Sequence, residues 1–129
     1  MLGSVETEFG LILDGILRME KNVRYAAICN KYGEITAHVL RDGVKLHLNE
    51  YETSKLIREA VSSWHYRHQL SFKLGEGKFA LAVYEKLIRL TVPLNNENLL
   101  LLTLDGFENV PRIVATIQKL KKKHTNLFK

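Results

Sequence analysis

Three short apolar segments in close order decide the fold: FALAVY at residues 79–84, LIRLTV at 87–92 and NLLLLTL at 98–104. Each has the length of a strand and is bounded by turn-forming residues. Glu85-Lys86 joins the first two, and PLNNE at 93–97 joins the second pair. Links this short cannot carry a crossover, so neighbouring segments run antiparallel. In FALAVY, Phe79, Leu81 and Val83 alternate with Ala80, Ala82 and Tyr84, which makes both faces largely apolar. NLLLLTL is apolar at nearly every position, the pattern of a central strand covered on both sides.

Outward from this core, VRYAAIC at 23–29 and EITAHVL at 34–40 flank Asn30-Lys31-Tyr32-Gly33, a hairpin signal. Before the hairpin, Phe9, Ile12, Leu13, Ile16 and Leu17 recur at three and four, as one face of a helix does. Ser4 is its expected cap. Gly10 and Gly15 weaken it by up to about 1 kcal/mol each. After the hairpin, Asp42-Gly43 marks a turn, and Asn49 followed by Glu52 fits a capping box. Leu56, Ile57, Ala60, Val61 and Trp64 continue as a helical stripe, with Arg67 and His68 near the C-terminal end that favours cations. Residues 70–78, with Gly75 and Gly77, read as a loop. Asp105-Gly106 closes the last strand. Asn109 is the expected cap of a final helix, with Pro111 in its first turn and Val110, Ile113, Val114, Ile117 and Leu120 as its buried stripe. The order α-β-β-α-β-β-β-α predicts an α+β domain: a five-stranded antiparallel sheet with three helices. One domain is expected over residues 1–123, with a frayed basic tail at 124–129.

The chain has 129 residues, 46% hydrophobic and 26% charged, ordinary values for a globular domain with its own core. A single cysteine excludes an internal disulfide and a multi-cysteine zinc site. No apolar run approaches the roughly 20 residues of a membrane helix, and Glu6 and Glu8 do not fit a secretory signal. A soluble cytoplasmic protein is the expectation. The net charge of +5 is not spread evenly. Residues 1–117 carry 14 basic and 14 acidic side chains, so the excess lies in Lys119, Lys121, Lys122, Lys123 and Lys129. Lysines at a helix C-terminus complement its dipole. Weak, salt-sensitive contact of this basic tail with nucleic acid or an anionic surface is the functional alternative.

The inventory of chemistry is thin. His65 and His68 are three apart on the second long helix, but Arg67 lies between them and no third metal ligand is evident. Cys29 ends an apolar strand and reads as a small buried hydrophobe. Gly75-Glu76-Gly77-Lys78 precedes a strand, whereas a phosphate loop opens a helix, and no hydroxyl residue follows Lys78. The segment reads as a flexible lead-in and a candidate interaction surface. No carboxylate pair, triad or cofactor fingerprint emerges, so catalytic, metal-binding and cofactor-binding residues are all expected to be absent.

The order and lengths of the elements resemble the roadblock/LC7 family, within the broader profilin-like folds, over about residues 5–123. PAS and GAF domains share the sheet-and-helix plan in a different order. Residues 73–94 (KLGEGKFALAVYEKLIRLTVPL), with Trp64, also resemble a group of small uncharacterised archaeal proteins. The roadblock resemblance implies a non-enzymatic domain, a sheet order of 2-1-5-4-3, and dimers formed through the third strand and second helix. Some members of that family regulate or scaffold small GTPases. On this chain the implied interface comprises Leu56, Trp64, Phe79, Leu81, Val83 and Tyr84. The residues agree in one respect: FALAVY, as an open edge with two apolar faces, is a pairing hazard unless covered. The expected function is therefore a dimerising scaffold or regulator of another protein, with a small GTPase as the implied partner class. A PAS- or GAF-like small-ligand sensor is the alternative, because Ala26, Ala27, Ala37, Ala80 and Ala82 leave room beside the strands.

Overall fold

The computed structural model describes residues 4–106 and 109–124, with side chains from residue 8 onward. The elements are α1 (Ser4–Met19), β1 (Val23–Asn30), β2 (Ile35–Leu40), α2 (Glu50–Gln69), α3 (Ser71–Leu74), β3 (Ala80–Val83), β4 (Ile88–Pro93), β5 (Asn98–Leu104) and α4 (Val110–Lys123). The strands form one antiparallel sheet in the order β2-β1-β5-β4-β3. The long elements follow the order read from the sequence. One turn of helix, α3, stands inside the segment expected to be loop; Gly75 ends it at φ +81°, a conformation glycine adopts freely.

β5 is central because nearly every side chain on it is apolar. Leu100, Leu102 and Leu104 point to one face, opposite Ala26 and Ile28 of β1 and Ile88, Leu90 and Val92 of β4. On this face they meet Phe9, Leu13 and Ile16 of α1 and Ile113 and Ile117 of α4 in the main core. Leu99 and Leu101 point the other way and meet Cys29 and Ile57, with Ala60, Val61 and Trp64 of α2 packed alongside. The sheet thus carries α1 and α4 on one face and α2 on the other.

Polar ties fix the ends of these elements. Asn49 Oδ1 accepts from the Glu52 amide at 2.8 Å, and the Asn49 amide donates to Glu52 Oε1 at 3.1 Å, completing the expected capping box. Asn109 makes no side-chain cap on α4; its backbone carbonyl accepts from Ile113 instead, and Pro111 takes a first-turn position where its missing N–H costs nothing. The Ser4 cap lies outside the described side chains, as do residues 125–129 of the expected frayed tail. At the end of α1, Arg41 donates to the carbonyls of Leu17, Glu20 and Val23 at 2.7–2.8 Å. Glu20, 2% exposed, takes Arg112 at 2.9 Å and Thr116 at 3.1 Å, joining α1 to α4. Among the described residues no helix is long and apolar enough to cross a membrane.

Candidate interaction edge

β3 lies at one margin of the sheet, and among the described residues β4 is its one hydrogen-bonded neighbour. Its outer row of amides and carbonyls is open. The side chains are open too: Leu81 is 41% exposed and Val83 61%, and Phe79 and Tyr84 beside the strand are also exposed. These are large apolar groups on a strand whose sequence alternates for burial, and among the described residues none covers them.

Register divides them between the faces. Leu81 pairs with Leu90 and Val83 with Ile88, so both extend the α1/α4 face past its last helix. Ala80 and Ala82 pair with Thr91 and Arg89 and lie on the α2 face. Phe79 shares the alternation of Leu81 and Val83, and Tyr84 that of Ala82. Leu56 and Trp64 belong to α2. Leu56 is half-buried over a cleft of about 80 Å³ lined by residues 44–48, α2 and the sheet. Trp64 is half-buried, donates Nε1–H to Thr91 Oγ1 at 2.7 Å, and carries the Arg67 guanidinium 4.9 Å above its ring. The six residues therefore sit at the β3 margin and on α2, on both faces of the sheet.

The segment before β3 is held against Trp64. A Cβ on Gly77 would lie 2.6 Å from Trp64 Cζ3, so only glycine lets this backbone approach the indole. Gly75-Glu76-Gly77-Lys78 is an exposed lead-in that touches the indole at Gly77, and Glu76, Gly77 and Lys78 border an open groove of about 630 Å³. His65 and His68 are exposed on α2 along the same groove. Lys121 lines it from the far side and donates to the Pro93 carbonyl at 3.2 Å, while Lys119, Lys122 and Lys123 are not among its walls. Sequence reading grouped Lys121 with the tail; its half-burial and its carbonyl contact separate it from that group.

Two other residues take partners that the sequence did not reveal. His38 Nδ1 and the Tyr25 hydroxyl lie 3.1 Å apart, across the register pairing of β1 and β2. Burial pushes the Cys29 thiol up to about 11, which suits packing and disfavours the thiolate that nucleophilic chemistry needs. Among the described residues no three His, Cys, Asp or Glu side chains gather as a metal cage.

The fold is that of known structures. The gliding protein MglB of Thermus thermophilus is 15% identical with a TM-score of 0.78, over 99% of this chain and 93% of that one. A second MglB structure, described with a tetrameric arrangement, is 16% identical with a TM-score of 0.78 over the same shares. A roadblock/LC7 domain from Streptomyces avermitilis is 9% identical with a TM-score of 0.67, over 88% of this chain and 92% of that one. The chain therefore has the roadblock/LC7-like, profilin-like fold that its element order implied. No curated protein sequence matches it. A family model described as a family of unknown function, DUF6659, matches residues 13–129.

Proposed function

We propose that this chain, which belongs to the DUF6659 family of unknown function, is a non-enzymatic scaffold or regulatory domain that self-associates through β3 and binds another protein. The open margin of β3 carries the reading. A second β3 laid antiparallel against the first would satisfy both rows of backbone groups and continue the sheet from one protomer into its partner. Leu81 and Val83 would then meet their counterparts across the twofold on the α1/α4 side. A four-residue strand is too small by itself for a stable interface of roughly 1,600 Å². Phe79, Tyr84, Leu56 and Trp64 are proposed to supply the rest, with α2 beside the seam. The tetrameric arrangement described for one MglB structure supports self-association on this fold. A small GTPase is the partner class drawn from the roadblock resemblance.

Mass in solution tests the proposal. The wild-type chain is expected to be a dimer or larger at micromolar concentration by light scattering, and Val83→Lys a monomer. Val83 is 61% exposed, so the lysine costs the monomer little while placing like charges face to face across a twofold. A wild type that stays monomeric at high micromolar concentration, or a variant of unchanged mass, overturns the reading.

A further inference from the structure

The groove of about 630 Å³ has the size of a small-molecule site. Its walls are the C-terminal half of α2, residues 76–78, the β1–β2 turn, the turn between β4 and β5, and the end of α4. Lys31 also lines it, but it is tied to Glu97 at 3.4 Å. Lys78 and Lys121 are different: neither forms a salt bridge among the described residues. Lys121 spends one ammonium proton on the neutral Pro93 carbonyl and is half-buried. Glu76 lines the groove as well but forms no salt bridge among the described residues, so with Glu97 held by Lys31 the groove keeps two lysines against one carboxylate, an excess of positive charge that the fold holds there. Gly77 packs on Trp64 and fixes the lead-in that carries Lys78, while α4 carries Lys121 from the opposite wall. We infer that this groove binds a phosphate-bearing small molecule, with the phosphate between Lys78 and Lys121 and the rest of the molecule along the Trp64 side.

The electrostatics agree. Burial lowers the pKa of Lys121 first, Lys78 lowers it further, and Glu76 offsets less than Lys78 adds. The field at that ammonium is thus net positive from its neighbours, which favours an incoming anion. A dianionic phosphate matches two monovalent cations and accepts a charge-assisted hydrogen bond from each. The side chains of His68 and Ser71 line the same groove and make no hydrogen bond among the described residues, so they are available to the ligand.

Trp64 is the sole tryptophan, so its emission reports on the groove directly. The experiment titrates the full chain with inorganic pyrophosphate, following emission and heat, against sodium chloride at matched ionic strength. A saturable response to pyrophosphate, absent with chloride, is expected. Lys78→Gln with Lys121→Gln should weaken it at least about tenfold, since each removes a charge-assisted contact. Lys119→Gln with Lys123→Gln, on the exposed side of the same helix, should leave it unchanged, and so should Val83→Lys, which separates this test from that of assembly. Absence of saturation by both readouts, an equal response to chloride, a double groove variant that binds like wild type, or an equal loss in the Lys119/Lys123 variant overturns the inference.

Discussion

The two faces of the sheet are made by the same strands and finished to different degrees. On the α1/α4 side, eighteen buried residues form one cluster, and the 14-residue α4 buries Val110, Ile113 and Ile117. On the α2 side the buried cluster is Cys29, Ile57, Leu99 and Leu101, and the 20-residue α2 buries Ile57 alone. A helix of that length with one fully buried side chain draws little stability from its own chain. It is held by its capping box, by the indole bond to Thr91 and by the half-buried stripe around Trp64. The closed face holds the larger share of the buried apolar side chains. The open α2 face keeps apolar and charged groups at the surface; the candidate groove runs from it past the β4–β5 turn to the end of α4, and the candidate interface draws on both faces at the β3 margin.

Neighbouring leucines on β5 test that division with the backbone held constant. Leu100 is fully buried in the closed face and Leu101 is 6% exposed beneath α2. Leu100→Ala is expected to cost about 3–5 kcal/mol and Leu101→Ala about 2 kcal/mol, because the thinner layer can settle into the space left behind. Urea denaturation measures both. Equal losses would mean that the two faces are packed alike and would break the comparison.

A smaller effect is expected where the open face is tightest. Gly77→Ala forces a methyl group to within 2.6 Å of Trp64 Cζ3, so the indole or the lead-in backbone must move. The expected cost is about 1–2 kcal/mol, as for modest overpacking where the neighbours can shift. A shift of Trp64 emission should accompany it, since the ring loses its place against the sheet. Unchanged stability and emission would show that the lead-in is not packed on the indole.

What the sequence disclosed follows the same division. The closed face announces itself through local periodicity: the stripes of α1 and α4 and the leucine run of β5 each lie within one element. The capping box was legible because Asn49 and Glu52 are three residues apart and need no tertiary context. Asn109 matched the same residue preference, yet its backbone turns without presenting the side chain to the helix, a geometry that composition does not encode. The one-turn α3 was hidden because four residues show no period. The groove joins Lys78 to Lys121, and Glu20 meets Arg112 across 92 residues. Such pairs arise only when the sheet order brings distant segments together. Trp64 and Gly77 each stand out in the sequence, but their mutual dependence appears only in the packing.

Cys29 offers the finest probe of the division, since it lies on the open face under Ile57 and is the chain's one thiol. A thiol reagent at pH 8 should reach it only when α2 lifts. The opening free energy from labelling should therefore fall below the global unfolding free energy, with a smaller denaturant slope, as for a subglobal opening. If labelling and global unfolding share one free energy and one slope, the faces open together and the distinction is not energetic. The titration of the same group sharpens the measurement. Burial holds the folded thiol's pKa up at about 11, whereas an exposed cysteine titrates near about 8.5. The native state thus keeps a proton that the opened state loses, and the stability this contributes is complete below the opened-state value. It is lost progressively as pH rises from there toward about 11. Wild type should accordingly lose stability relative to Cys29→Ala across that window, because alanine has no proton to give up. Parallel pH profiles for the two proteins would show that the thiol is already hydrated in the native state, and that the open face is looser still than its packing implies.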